Sequence, residues 1–367
     1  MTKRALAFAL FALLMAQASF SADPAPECKP VDAPAGFVWR ASEGDNPEIA
    51  DKLIRPHSKA ELLELRRRVT KVFFGQATLP KTLPVSVERI ADQKLLPQPP
   101  AELATVDRLL IDMNRTRAVA YLFTPASPKR MLVIYHAGHE VTFPPAVISR
   151  FIQSGYTVAG LYMPLFAENS QYAPVVDVPR IGPMKAIMHE QFKLMESEAF
   201  NPLQYFIEPV VAVLNYALRT GRFDSVTMVG LSGGGWTTTI AAALDPRITN
   251  SYAVAGSLPL HMRWSDWSSW GDYEQVHPEL VKTVAYLELY LLAGSGKGRR
   301  HVQVLNKYDT CCFSVSSVPN YVHTVQKRLA GIGPGRYDLF VDDTHAAHAI
   351  SPCTMTHILA DLETQAR

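Results

Sequence analysis

Residues 226–234 read Val-Thr-Met-Val-Gly-Leu-Ser-Gly-Gly, and this stretch decides the fold class of the chain. The apolar run at 226–229 predicts a strand, and the small residues from Thr237 to Ala243 predict a helix. Ser232 stands between the two, with Gly230 two residues before it and Gly233 directly after it. Glycine suits a tight strand-to-helix turn because a Cβ would clash with its neighbours there. The stretch therefore predicts a sharp turn that raises the Ser232 hydroxyl above a sheet, at the N-terminus of a helix.

From residue 104 onward, apolar strand-like runs alternate with segments of helical pattern. The first two runs, 105–111 and 118–123, are joined by a short polar turn, which predicts an antiparallel hairpin at the edge of a sheet. Further strands are predicted at 131–135, 157–161, 226–229, 251–255, 301–305 and 337–341, and helices at 145–154, 202–220, 234–244, 318–330 and 352–364. The alternation predicts an α/β fold whose central sheet is mostly parallel, with helices on both faces.

The chain before residue 104 has a different character. Residues 1–22 combine two basic residues, a short apolar stretch and small residues typical of a cleavage site. They predict a signal peptide, and hence a secreted or periplasmic protein, with an uncleaved membrane anchor as the alternative. Residues 23–103 are rich in proline and contain one amphipathic helix at 58–74. We expect them to form an N-terminal extension packed on a main domain at 104–367.

Composition and charge narrow the range of partners. The chain has 367 residues, of which 48% are hydrophobic and 19% charged, so a globular protein with a sizeable core is expected. Removing residues 1–22 takes away Lys3 and Arg4 and leaves 34 of the 36 basic residues against 34 acidic ones. Such a balance lacks the positive surface that binds nucleic acid or anionic lipid. No later segment has the length and apolar character of a membrane span.

Gly230-Leu231-Ser232-Gly233-Gly234 matches the G-x-S-x-G pattern, and the strand before it and the helix after it give the structural context that this pattern requires. On these residues, the segment 104–365 resembles the α/β-hydrolase family. The resemblance implies that Ser232 is a nucleophile. It also implies that an acid and then a histidine follow along the chain.

The resemblance places the acid and the histidine after later strands of the sheet. Asp309 follows the strand at 301–305, where the family has its acid, whereas Asp272 and Glu274 precede that strand and are the alternatives. The acid would hold the imidazole in one tautomer and stabilise its protonated form. His348 follows the last strand, just before the closing helix, and is the predicted base, with His345 as the alternative.

The oxyanion hole of the family takes two backbone N–H donors, one from the residue after the serine and one from the loop after the third strand. The first donor would be Gly233, at the start of the helix. Residues 135–140, Tyr-His-Ala-Gly-His-Glu, resemble the second loop with one residue inserted. We assign the second donor to His139, with Gly138 as the alternative.

The chain has four cysteines. Cys311 and Cys312 come directly after the predicted acid, and Cys353 comes five residues after the predicted base. If acid and base touch, these loops are close enough for a disulfide. We therefore predict a bridge from Cys353 to one of the adjacent pair, Cys312, with Cys28 taking the remaining partner or staying free.

Two stretches, 162–201 and 258–298, are longer than simple connections and predict lid-like insertions or pocket walls. The second one holds Trp264, Trp267 and Trp270. Their rings either line a pocket that accepts a sugar, an aromatic acyl group or an apolar tail, or simply pack the insertion.

These observations predict a serine hydrolase that cleaves a small-molecule carboxylic ester through an acyl-enzyme on Ser232, with no cofactor and no assigned metal site. A serine peptidase or amidase acting on short peptides is the alternative, since the same triad cleaves amides. A binding protein that has the hydrolase fold but no catalytic activity is a second alternative. The pairs His136/His139 and His345/His348, with Glu140, also have spacings that suit a metallohydrolase. Oligomeric state is not predicted by any of these patterns.

Overall fold

The protein is described by a computed structural model covering residues 28–38, 45–91, 95–221, 223–263 and 270–365. The predicted signal peptide lies outside the described residues. So do Trp264 and Trp267. Within the described ranges, no helix has both the length and the apolar character needed to cross a bilayer.

A large central sheet organises the molecule. In chain order the strands are β1 (Ser86–Ile90), β2 (Leu103–Met113), β3 (Thr116–Pro125), β4 (Met131–His136), β5 (Thr157–Leu161), β6 (Val175–Val178), β7 (Gly182–Lys185), β8 (Ser225–Leu231), β9 (Asn250–Val254), β10 (Arg300–Asn306) and β11 (Arg336–Asp342). Nine of the described strands form one sheet in the order β1-β2-β3-β5-β4-β8-β9-β10-β11, while β6 and β7 form a separate hairpin. The strands from β5 to β11 of the large sheet pair in parallel, as the sequence predicted.

The hairpin predicted at 105–111 and 118–123 is confirmed as β2 and β3, which pair antiparallel from Leu103 to Pro125. It does not form the edge of the sheet, however. Strand β1 comes from the N-terminal extension and pairs antiparallel with β2, so that Ser86 lies opposite Leu110. The extension thus contributes a strand to the main sheet, and its helix at Lys59–Phe74 contributes buried residues to the core beside the sheet.

Helices cover both faces of the large sheet. They are α1 (Pro47–Leu53), α2 (Lys59–Phe74), α3 (Pro145–Gln153), α4 (Gln204–Thr220), α5 (Gly233–Leu244), α6 (Tyr273–Val276), α7 (Pro278–Thr283), α8 (Tyr286–Gly294), α9 (Tyr321–Ile332) and α10 (Pro352–Gln365). Short 3₁₀ segments occur at Ala167–Tyr172, His189–Met195 and Leu260–Met262. The Ser58 hydroxyl caps α2 by accepting from the Glu61 N–H, and the Ser351 hydroxyl caps α10 by accepting from the Thr354 N–H.

The alternation of side chains along β4 shows how the two faces are filled. Leu132 and Ile134 point into one core, shared with α4, α5 and α8. Val133 and Tyr135 point into a second core, shared with α3 and α10. A strand buried on both faces needs apolar residues at every position, and all six residues of β4 are buried.

The two long connections differ in structure. The first one, at 162–201, contains the β6–β7 hairpin and two of the 3₁₀ segments. The second, at 258–298, contains α8, whose nine residues are all buried. Tyr286 and Tyr290 therefore belong to the core instead of to a lid. Trp270, by contrast, is 46% exposed.

Candidate active site

The turn between β8 and α5, residues 230–234, is tight and strained. Ser232 has φ 57° and ψ −126°, in a region that non-glycine residues adopt only at a cost of about 1–3 kcal/mol. A Cβ on Gly230 would lie 2.2 Å from the carbonyl oxygen of Gly234, so both ends of the G-x-S-x-G pattern meet inside the turn. Ser232 precedes the first turn of α5, where the helix dipole and free N–H groups favour negative charge. The structure thus has the turn that the sequence predicted.

The loop after β4, residues 136–140, packs directly against this turn. A Cβ on Gly234 would lie 2.0 Å from the carbonyl oxygen of His136. A Cβ on Gly138 would lie 2.8 Å from the Ser232 Cβ and 3.1 Å from Oε2 of Glu140. The His139 ring also touches the turn, because its Cε1 lies 3.3 Å from the place where Gly233 would carry a Cβ. Both candidate second donors, Gly138 and His139, therefore border the serine turn.

His348 and Asp309 are brought together although 39 residues separate them. The His348 Nδ1–H donates to Asp309 Oδ2 at 2.8 Å, and Oδ1 lies 3.1 Å away. A carboxylate only accepts, so Nδ1 must carry the proton in this pair. His348 Nε2 is buried and has no hydrogen-bond partner among the described residues. This tautomer leaves Nε2 with a lone pair that can take a proton.

Asp309 is fully buried and saturated with donors. Its Oδ1 accepts the backbone N–H groups of Cys311 at 2.8 Å and Cys312 at 3.0 Å. The Asn306 amide donates to Oδ2 at 3.2 Å. A buried carboxylate held by several N–H donors is fixed in orientation. The loop after β10 therefore presents an oriented hydrogen-bond acceptor to the His348 ring.

The protonation of His348 is set by opposing effects. Burial lowers its pKa, but the hydrogen bond that it donates to Asp309 and the charge of that carboxylate raise the pKa, and the charge of Glu140 raises it further. The pKa of His348 is raised as a result. The surroundings thus favour the imidazolium, which is the form a general base reaches when it takes a proton.

His345, the alternative base, occupies a different environment. Its Nδ1 accepts the Ala347 N–H, and its Nε2 lies 3.5 Å from Asp342 Oδ2. Asp342 also accepts the hydroxyls of Thr344, Ser351 and Thr354, and these hydrogen bonds together with that of His345 lower its pKa despite burial. His345 therefore belongs to a polar group that anchors the start of α10.

The predicted Cys312–Cys353 bridge is wrong. Cys353 is bonded to Cys28, and Cys311 is bonded to its neighbour Cys312. The physical reason is the path of the N-terminal segment, which runs along the loop after β11, where the Val31 N–H donates to the Asp343 carbonyl. The adjacent cysteines still hold the acid in place, but they do so through their backbone N–H groups.

The alternative acids, Asp272 and Glu274, lie with other histidines. His139 Nε2 is 3.1 Å from Asp272 Oδ2, and His189 Nδ1 is 3.1 Å from Glu274 Oε2. Burial lowers the pKa of His189, but the charge and hydrogen bond of Glu274 outweigh it and the pKa is raised. Sequence reasoning missed His189, which stands alone in a long connection with no partner at helical or motif spacing.

His136, in contrast, does not belong to this cluster of histidines and acids. It is fully buried, its Nδ1–H donates to the Ala137 carbonyl, and burial lowers its pKa to about 4. The histidine-rich group around His139 that could hold a metal contains His189 instead of His136. The other such group joins His348 to Cys311 and Cys312, whose sulfurs form a disulfide, and His345 is not part of it. The two H-x-x-H pairs thus do not each converge on one ion.

No protein-family profile matches the chain, and no curated protein matches it by sequence. Solved structures do resemble it. Methylesterase BT1017 aligns with a TM-score of 0.60 and 15% identity, over 88% of this chain and 68% of its own. Acetyl Xylan Esterase 1 from Thermoanaerobacterium sp. JW/SL YS485 has a TM-score of 0.54 at 15% identity, covering 87% of this chain and 97% of its own. The Glucuronoyl Esterase from Solibacter usitatus has a TM-score of 0.50 at 14% identity, covering 83% and 91%.

At sequence identities this low, the comparisons are evidence for the fold alone. Together with the strand order and the serine turn, they show that the chain has the α/β-hydrolase fold. In an open α/β sheet, sites form at the carboxyl ends of the strands. Ser232 follows β8, Asp309 follows β10 and His348 follows β11, so all three leave the sheet at that edge.

Proposed function

We propose that the protein is a serine hydrolase that cleaves a carboxylic ester through an acyl-enzyme on Ser232. The observation that carries this proposal is the His348–Asp309 pair. A buried, donor-saturated acid orients a histidine whose second nitrogen has no partner among the described residues. The serine, the acid and the histidine follow one another in the chain order of the fold, and they come after the carboxyl ends of β8, β10 and β11 of one sheet.

In the proposed mechanism, His348 Nε2 takes the Ser232 hydroxyl proton as the oxygen attacks the ester carbonyl. The backbone N–H of Gly233 and that of His139, or of Gly138, stabilise the tetrahedral oxyanion. The alcohol leaves with the proton from His348, and the acyl group stays on Ser232. Water then gives a proton to His348, attacks the acyl-enzyme and releases the acid. Asp309 keeps its charge throughout and holds the Nδ1–H tautomer.

The names of the three similar structures favour esters over peptides as substrates. All three are esterases, and two are named for xylan or glucuronoyl groups. An ester panel for this protein therefore starts from methyl, acetyl and glucuronoyl esters of carbohydrates. Short-peptide amides are the comparison set, because the same residues can transfer an acyl group from an amide.

We also propose that residues 1–22 are removed during export. The Cys28–Cys353 disulfide supports this, since structural disulfides persist mainly in oxidising compartments. N-terminal sequencing of the exported protein tests it, and a mature chain that still begins at Met1 would count against it.

Labelling with a fluorophosphonate, followed by mass spectrometry of the modified peptide, tests the nucleophile without assuming a substrate. We expect modification at Ser232 that disappears in Ser232→Ala and is strongly slowed in His348→Ala. His345→Ala is the matched control, because it removes a histidine three residues away that contacts Asp342 and not Asp309. Labelling elsewhere, or equal loss in the two histidine variants, would contradict the proposal.

A further inference from the structure

Four metal-ligating side chains converge beside the serine turn, from three separate parts of the chain. His139 follows β4, His189 begins the 3₁₀ segment of the first long connection, and Asp272 and Glu274 stand at the start of α6. Each offers one ligand atom, and these atoms all lie within 4.8 Å of one another. None of the four contacts the His348–Asp309 pair by a hydrogen bond within the described ranges.

The hydrogen bonds of His189 point to a cation in this cluster. Its Nε2 lies 2.9 Å from the Pro164 carbonyl oxygen, and its Nδ1 lies 3.1 Å from Glu274 Oε2. Both partners only accept, whereas a neutral imidazole has one N–H. If that N–H donates to the Pro164 carbonyl, Nδ1 has no proton. Its lone pair then faces a lone pair of the Glu274 carboxylate. The contact is favourable only if a second proton or a metal ion lies between them.

Burial makes this contact informative. The His189 side chain is 3% exposed and that of Glu274 is 0% exposed. Glu274 Oε1 has no hydrogen-bond partner among the described residues, although it is buried. A buried carboxylate oxygen without a partner is costly, and such a group in a native protein calls for an explanation. A cation bound by the Glu274 carboxylate would give this buried group a partner of opposite charge.

We propose that His139, His189, Asp272 and Glu274 form a binding site for a divalent ion of the zinc class. Two imidazoles and two carboxylates suit Zn²⁺, whereas Ca²⁺ and Mg²⁺ prefer oxygen ligands alone. Tetrahedral bonds of about 2.0–2.1 Å put ligand atoms about 3.3 Å apart. The two histidine–carboxylate distances are each 3.1 Å, close to that spacing. The His189 Nε2–H on Pro164 is the outer hydrogen bond that metal-bound histidines commonly make.

The same geometry defines the role of the ion. With four protein ligands the site is closed, as structural zinc sites are. It would join loop 136–140 to both long connections and so hold His139 against the serine turn. His139 and Asp272 are 35% and 44% exposed, which leaves a route for the ion from solvent. The inference concerns ion binding alone and stands whether or not Ser232 is a nucleophile.

Zinc titration of the untagged full chain tests the site. The protein is first stripped with a chelator, then titrated with Zn²⁺ against a chromophoric competitor, and retained metal is counted by elemental analysis. We expect one tightly bound equivalent, a higher melting temperature with Zn²⁺, no such gain with Ca²⁺ or Mg²⁺, and tetrahedral absorption with Co²⁺. Absence of saturable binding overturns the proposal.

Variants assign the binding to the cluster. Asp272→Asn and His189→Gln should each weaken Zn²⁺ binding by at least about tenfold. Asp272 is partly exposed, so its variant keeps the test valid if the buried His189 variant fails to fold. His323→Gln is the control, because His323 is an exposed histidine on α9. Zinc affinity that falls in the control, and not in Asp272→Asn, shows surface binding only and overturns the proposal.

Discussion

The His348–Asp309 pair and the His139–Asp272 pair are built differently. In the His348–Asp309 pair the acid is fully buried and accepts N–H groups from its own loop. In the His139–Asp272 pair both side chains are partly exposed. A hydrogen bond from His139 lowers the pKa of Asp272, and burial opposes this shift.

The difference shows that proximity of a histidine to an acid does not define a base. The Nδ1 side of His348 is fixed in one tautomer by Asp309, and its buried Nε2 has no hydrogen-bond partner in the part of the chain that the structure describes. His139 uses its Nε2 toward Asp272 and touches Gly233 through its ring edge, so its place in the proposed mechanism is through its backbone N–H. The two pairs therefore predict different responses to the same substitutions.

The largest expected difference is between the two histidines. His348→Ala should lower kcat for an ester by about 10⁶-fold, because a triad works as a unit. His139→Ala should cost less than about 10²-fold, since the backbone N–H remains. Steady-state kinetics on one ester measures both. Equal losses would break the comparison.

Substitution of the two acids should give the same order of effects as substitution of the two histidines, with smaller losses in kcat. Asp309→Asn is expected to lower kcat by about 10⁴-fold, because the amide no longer fixes the Nδ1–H tautomer of His348. Asp272→Asn should leave kcat within about tenfold, since Asp272 contacts no atom of that pair by a hydrogen bond in the described ranges. A larger effect at Asp272 would assign the acid to the other pair.

The third prediction tests how the His348 pair is held. Cys353→Ser removes the bridge from α10 to Cys28 and should lower the free energy of unfolding by about 2–5 kcal/mol. Urea unfolding under non-reducing conditions measures this, with wild type in reductant as the comparison. Peptide mapping should link the peptides of Cys28 and Cys353. Finding a Cys312–Cys353 peptide would restore the sequence-based pairing.

The smallest expected effect is that of Glu140, which follows His139 in the chain and acts on the His348 pair through its charge. Glu140 belongs to loop 136–140, and its negative charge helps to raise the pKa of His348. Activity requires neutral His348, so kcat/KM falls as pH drops through that pKa. Glu140→Gln removes the charge, lowers the pKa of His348 and should move the acidic limb to lower pH. A pH profile checks this, and a limb that stays in place or moves to higher pH would contradict it.

Local patterns explain what could be read from the sequence. The strand at 226–229, the glycines around Ser232 and the helix pattern up to Ala243 specify the turn within eighteen residues. Chain order within the fold then pointed to Asp309 and His348, whose contact the structure has. Parallel buried strands were readable for the same reason, since burial on both faces requires apolar residues at every position.

What the sequence did not reveal depends on distant contacts. Strand β1 is short and mostly exposed, so only its pairing with β2 makes it a strand. The Cys28 partner depends on where the N-terminal segment crosses α10. Helix α8 lies in the stretch predicted as a lid-like insertion or pocket wall, although its apolar residues on all sides are typical of a buried helix. Its one acid, Glu288, is buried against Arg55 of the N-terminal extension.

The Cys28–Cys353 bond joins residues 325 positions apart, and this has a mechanical consequence. Tension applied to the two ends of the chain would pass from Cys28 to Cys353 through the sulfur–sulfur bond. The strands and helices between them would carry none of the load, Ser232, Asp309 and His348 included. Under such a pull only the segments outside the bridge extend, and the folded body lengthens only after a reductant has opened the bond.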